Sequence, residues 1–151
     1  MSIERIYFRK EKFILTLIYG KLTNTEIGEH VMEMNNELAT CTGLIELADC
    51  RFLTDISELN SEGLAFAASM EKGHPRTLGG KGAIVVSSEE VFDLARVYAS
   101  IAAVARDDSQ VFRNLDTAIG WLEVSPLRDK ILAHCTRIEN SRDLLSKKLA
   151  A

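Results

Sequence analysis

The sequence predicts an α/β fold: an N-terminal β-hairpin, then helices and strands in alternation, then one further helix at the C-terminus. Three observations predict it. Two runs rich in β-branched and aromatic residues, Ile3 to Phe8 and Phe13 to Tyr19, stand close together with the polar stretch RKEK between them. Short apolar runs then alternate with segments whose apolar residues recur every three or four positions. Capping residues open those segments, with a glutamate three positions after Thr23 and after Ser87.

Each element follows in turn. Thr23 and Glu26 form a capping box, and Ile27, Val31, Met34 and Leu38 give a helix that runs to near Ala39. Leu44 to Asp49 reads as a short buried strand, and the polar stretch CRFLTDISE after it reads as a loop. A helix is expected from about Ser61 to Lys72, ended by Gly73 and Pro75. Ala83 to Val86 carries no charge and is the clearest buried strand. Ser87 is expected to cap the next helix, with Val91, Leu94, Ala95, Tyr98, Ile101 and Ala102 on its apolar side. QVFR is a short strand, Asn114 caps a helix carrying Ala118, Ile119, Trp121 and Leu122, and Ser125-Pro126 restarts the chain. The last helix places Leu127, Ile131, Cys135, Ile138, Leu145 and Leu149 on one side. The order is β-β-α-β-α-β-α-β-α plus a C-terminal helix. Residues 1–124 are expected to form the domain and 125–151 an extension. That extension packs either on the domain or on a second copy in a homodimer.

Composition excludes several classes. The 151 residues carry a net charge of -4, which argues against nucleic acid, whose phosphates call for clustered Lys and Arg. Cys41, Cys50 and Cys135 contain no C-x-x-C pair and read as small buried side chains of a reducing compartment. No run of about 18 apolar residues is present, so no membrane span is expected. The charged N-terminus does not suit a signal peptide, and a cytoplasmic location follows as the expectation.

Three segments carry a resemblance: GKLTNTE after the hairpin, GAIVVSSEEVFDLARVYAS, and VFRNLDTAIGWLE. Together with the element order, they resemble the STAS domain of the anti-sigma-factor antagonists, especially the SpoIIAA-like group also described as STAS/SEC14 proteins. The resemblance runs from about Ile3 to Leu122. It implies a mixed sheet and a non-enzymatic regulatory module that binds a protein partner. In the antagonists, a serine in an Asp-Ser-Ser-Gly-Leu-like segment is phosphorylated. Here Asn60-Ser61-Glu62-Gly63-Leu64 matches it, with Ser61 on the regulated position, Asn60 in place of the acid and Glu62 in place of the second serine. The SEC14 side of the resemblance implies a second function, carrying or sensing a small lipophilic ligand.

Two readings of Ser61 stay open. A helix N-terminus tolerates a phosphate, and a new charge of about -2 could repel or recruit a partner. Alternatively Asn60 or Ser61 simply caps the helix, a contribution of about 1 kcal/mol. The partner-binding surface would lie around Arg51 to Gly63. Asp49, Arg51, Ser87 and Arg96 could line an anion or ligand cleft at the strands' carboxyl ends; equally, Asp49 pairs with Arg51 and Ser87 only caps its helix. Phe52, Leu53, Ile56, Leu59, Phe66 and Met70 would form either an apolar ligand mouth or core. Gly79 to Gly82 precedes a strand and lacks the Gly-Lys-Ser/Thr of a phosphate loop. His30 is expected on a solvated helix face, and His30, His74 and His134 have no metal spacing. No cofactor, metal or catalytic constellation is expected.

Overall fold

The computed structural model describes residues 2–103 and 108–150, with side chains as far as Arg142. Five strands, β1 (Ile3–Phe8), β2 (Phe13–Lys21), β3 (Ile45–Asp55), β4 (Lys81–Val85) and β5 (Asp108–Phe112), form one sheet in sequential order. The hairpin β1-β2 is antiparallel, and β2-β3, β3-β4 and β4-β5 are parallel. Helices α1 (Asn24–Glu37), α2 (Ser61–Ser69) and α3 (Glu89–Ala102) are the crossovers, and α4 (Leu115–Leu122) and α5 (Arg128–Ala150) follow β5.

Crossovers of one hand, between strands laid down in order, put their helices on one face of the sheet. Side chains from α1, α2 and α3 accordingly meet Ile3, Ile18, Cys50 and Val86 on that face. The opposite face is covered by α4 and α5, whose Ala118, Ile119, Leu122, Ile131, Cys135 and Ile138 meet Phe13, Leu15, Leu17, Leu47, Ala83 and Val85. Both faces of β2 are therefore buried, which is why FILTLI is a nearly unbroken apolar run. Four of the six stripe residues expected on the last helix, Leu127, Ile131, Cys135 and Ile138, lie in this core; the side chains of Leu145 and Leu149 fall outside the described residues. Arg137 adds a tie from α5 to Glu4 of β1 at 2.9 Å, and its guanidinium holds the Glu4 carboxyl below the ordinary carboxylate range.

The structure departs from the sequence expectation in the middle of the chain. CRFLTD is not loop: β3 continues through it to Asp55, paired with β2. A bulge interrupts the ladder there, because Leu17 is opposite Asp49 while Tyr19 is opposite Phe52. The extra residue breaks the two-residue alternation and turns Phe52 toward the α5 face and Leu53 toward the α1–α3 face. Helix α2 ends at Ser69, short of Lys72, and β5 starts at Asp108. The segment after α2 is held by a buried polar cluster. Arg76, 1% exposed, donates to Glu71 at 3.1 Å and to the Asn35 side chain at 2.9 Å.

Helices α1 and α2 approach closely at Gly63. A Cβ placed there would collide with the Asn24 side-chain amide. That amide is itself held, since Asn24 Oδ1 accepts from Asn60 N–H at 3.1 Å and Asn24 Nδ2 donates to Asn60 Oδ1 at 3.2 Å. Gly63→Ala is expected to lower stability by about 1–3 kcal/mol, the usual range for overpacking. Denaturant unfolding should show the Gly63→Ala cost shrinking in an Asn24→Ala background, because the collision partner is gone. Ile131 is fully buried under the sheet, and Ile131→Ala is expected to cost about 2–5 kcal/mol in the same measurement. A loss under 1 kcal/mol would show that α5 is dispensable to the core.

Candidate functional site

The sequence-predicted residues divide between two places. Asp49 lies within β3, not at its end, and is 1% exposed on the α5 face. Arg51 Nε and Nη2 donate to its two carboxylate oxygens at 2.9 Å each, and the Arg51 backbone N–H adds a third bond at 3.1 Å. Ser87 is not the cap of α3; that is Ser88, whose side chain accepts from Val91 N–H. Ser87 Oγ instead donates to the Arg51 carbonyl at 2.8 Å. Asp49, Arg51 and Ser87 thus come together and are engaged with one another. Arg96 does not join them: its guanidinium lies over the Phe92 ring, beside the edge strand β5.

At the start of α2, Asn60 is the N-cap and its Oδ1 accepts from Gly63 N–H at 2.8 Å. Ser61 is therefore the first helical residue and is exposed, with Glu62 beside it also exposed. Lys21 is paired with Glu58 at 3.1 Å. Phe66 is 66% exposed one turn further on, and Met32 of α1 is 55% exposed.

The concave apolar site lies between the sheet and α1, α2 and α3. It is a cavity of about 70 Å³, or about 670 Å³ when its opening to solvent is counted. Ile18, Ile27, Leu53, Leu59, Leu64, Val91 and Ala95 form much of its wall. Of the six residues expected at an apolar mouth, only Leu53 and Leu59 line it. Phe52 has been turned to the other face by the bulge, Ile56 and Met70 pack at the margin of the core, and Phe66 points outward.

The wall also contains polar groups that sequence reasoning missed. His30, expected on a solvated face, is 6% exposed, and Glu46 is 8% exposed. Thr16 Oγ1 donates to Glu46 Oε2 at 2.8 Å. Arg5 Nη1 lies 3.1 Å from His30 Nδ1, and a guanidinium can only donate, so Nδ1 accepts and the ring proton sits on Nε2. Nε2 faces Glu46 Oε2 at 3.7 Å. Arg5 is anchored in turn by Glu33 at 2.6 Å and Glu37 at 3.3 Å on α1. A line of polar groups thus runs from the protein surface through β1 and α1 to the cavity wall. The signal for it was present in the sequence: Glu46 is a lone acid inside the apolar run LIELA, and a buried acid requires partners.

Cys50 also lines the cavity, and burial pushes its thiol well above the ordinary range. Cys135, beside Asp49, is pushed up to about 12 by burial and then by that carboxylate. Neither thiol is poised as a nucleophile. Among the described residues, no group of three or more His, Cys, Asp or Glu is placed to hold a metal ion. Among them, too, no helix is long and apolar enough to cross a membrane.

No known family profile matches the sequence, and no curated protein does. The fold does have a counterpart. It is similar to the crystal structure of an uncharacterized protein of the DUF3478 family from Shewanella loihica PV-4, described as having a SpoIIAA-like fold. The two share a TM-score of 0.52 and 17% sequence identity over 80% of this chain and 92% of the other. The sequential five-stranded sheet with its three same-face crossover helices is a SpoIIAA-like α/β fold.

Proposed function

We propose that this chain is a non-enzymatic binding protein that carries or senses a small, mainly apolar ligand between the sheet and helices α1, α2 and α3. The observation that carries this reading is the cavity itself, an apolar enclosure with His30 and Glu46 buried in its wall. Ligand sites are of this kind: mostly apolar, with a few convergent polar groups. The volume bounds the ligand. An apolar cavity of about 150 Å³ accepts benzene, so about 70 Å³ suits a short chain, or the end of a longer one that leaves by the opening. A two-chain lipid does not fit without movement of the helices.

The test is intact-mass spectrometry of the protein purified from its native host. Under native conditions a small organic adduct is expected, and it should be lost on denaturation. Ala95 is buried in the cavity wall, so Ala95→Leu should remove the adduct by filling the space. A bare mass under both conditions would count against the carrier.

A second reading, a protein-interaction module switched at Ser61, is favoured by one observation. Asn60 performs the capping, and Ser61 is exposed as the first residue of α2. The exposed Phe66 and Met32 supply apolar surface on the same helix pair. Glu62 and Glu58 place negative charge nearby, so a phosphate on Ser61 would act by repulsion. Peptide mapping of the same host-purified sample is expected to find phosphate on Ser61 if this reading holds. Its absence in growing and in starved cells would remove it.

A further inference from the structure

Two exposed stripes run along the outer surface of α1 and α2. On α1, Glu29, Met32 and Asn36 follow one another at helical spacing and are all exposed; on α2 the same holds for Glu62, Phe66 and Ser69. The seam between the helices fixes where the stripes lie. Asn24 meets Asn60 and Gly63 at one end, and Asn35 Nδ2 donates to the Met70 carbonyl at 3.1 Å toward the other, so the two helices run in the same direction. A Cβ at Gly28 would lie 3.8 Å from the Met70 methyl. Met32 stands between Gly28 and Asn35 on α1, and Phe66 stands one turn before Met70. Met32 and Phe66 therefore flank the seam, each with a glutamate one turn before it. With Leu78, in the loop before β4, they are the exposed large hydrophobic side chains among the described residues.

Charge on this surface has one sign. Helix α1 contains four glutamates and α2 contains one, and neither contains a lysine or arginine. Arg5 pairs with Glu33 and Glu37, Ser2 donates to Glu26, and Lys21 pairs with Glu58. Glu29 and Glu62 have no ionic partner among the described residues.

We propose that the α1–α2 surface docks an amphipathic helix of a protein partner. Its apolar residues pack on Met32 and Phe66, and its Lys or Arg residues, one turn away, pair with Glu29 and Glu62. The proposal is independent of the cavity. It takes from the interaction-module reading only that a protein binds here, and Ser61, off the stripe, plays no part in it. A second copy docked through the same face, an anionic membrane or a nucleic acid would bring negative charge against both glutamates, and like charges across an interface oppose binding. An extended peptide needs a free strand edge for its backbone, which a seam between helices does not offer. A helix satisfies its own backbone and presents only side chains, which two apolar anchors with adjacent charges can read. Phe66 supplies a rigid aromatic anchor and Met32 a side chain that adapts to its neighbour.

The experiment places the photo-crosslinker p-benzoylphenylalanine at position 66 of the full chain in its native host, with position 78 as control. The crosslinked peptide is then sequenced. It is expected to come from another protein and to carry Lys or Arg three or four residues from the apolar residues at the crosslink. That segment, made as a synthetic peptide, is titrated against the purified protein. Met32→Ala should weaken binding by about fivefold or more, as loss of an interface anchor does. Replacing Glu29 and Glu62 together by Gln should weaken it by about two- to tenfold in low salt and by much less in high salt. These three positions are exposed, so the variants are expected to fold. A crosslinked segment without basic residues, or unchanged affinity in the double Gln variant, would overturn the assignment of the partner and leave the interaction module standing. A crosslink to this chain itself would overturn it in favour of a second copy. No protein crosslinked at 66 above the control, in growing or in starved cells, would remove both the proposal and the module's surface.

Discussion

The strands are laid down in sequential order and the crossovers share one hand, and most of the molecule follows from that. Three crossover helices must then lie on a single face. The other face of the sheet stays uncovered until the chain has finished β5, and only α4 and α5 remain to cover it. Helix α5 is thus not ornament on a finished domain. Leu127, Ile131, Cys135 and Ile138 supply a large part of the second core, and Arg137 secures the helix to the edge strand β1.

A sheet covered on both sides leaves no solvent for the polar residues of its central strand. Strand β3 contains two buried acids, and each is met by a different layer. Asp49 faces α5 and is satisfied almost locally, by Arg51 two residues on. Glu46 faces the crossover helices and is met from farther away, by Thr16 on β2 and His30 on α1. The bulge that follows Asp49 lets Arg51 stay beside Asp49 while Leu53 returns to the crossover face. The crossover layer is also the looser one. Three helices on one face, with Gly82 in the strand beneath and Ala95 of α3 in the cavity wall, leave space, whereas α4 and α5 pack Ile119, Leu122 and Ile131 against the other face.

Function on this fold depends on which of these features is used. The α2 N-terminus, with Asn60 as cap and Gly63 seated on Asn24, is rigidly placed and presents Ser61 outward. The cavity behind it shares Leu59 and Leu64 with the approach to and first turn of that helix. A ligand that filled the cavity would press on the same helix that presents Ser61, so the two readings of function describe neighbouring parts of one element.

The hairpin, the helix α1 with its Thr23 cap, the strand at Ala83 and the α4 cap at Asn114 were legible because their signals are local: alternation, helical spacing and capping side chains. The same is true of the α/β order and of the apolar stripe on the last helix as far as Ile138. The continuation of β3 was not legible, because a bulge hides the alternation and Arg51, Thr54 and Asp55 look like loop. His30 looked solvated between Glu29 and Glu33, yet the helix turns it inward while both glutamates stay exposed. Ser87 and Ser88 cannot be ranked as caps by sequence, since either spacing opens a helix; the Arg51 carbonyl, distant in sequence, takes the Ser87 hydroxyl and leaves Ser88 to cap. By itself, then, the sequence determined the elements, their order and the faces that must be buried, because those depend on neighbours within about one helical turn or strand step. Only the tertiary structure decided where the acids, the histidine and the glycine of separate elements meet, because register and packing across the sheet join residues that no local pattern links.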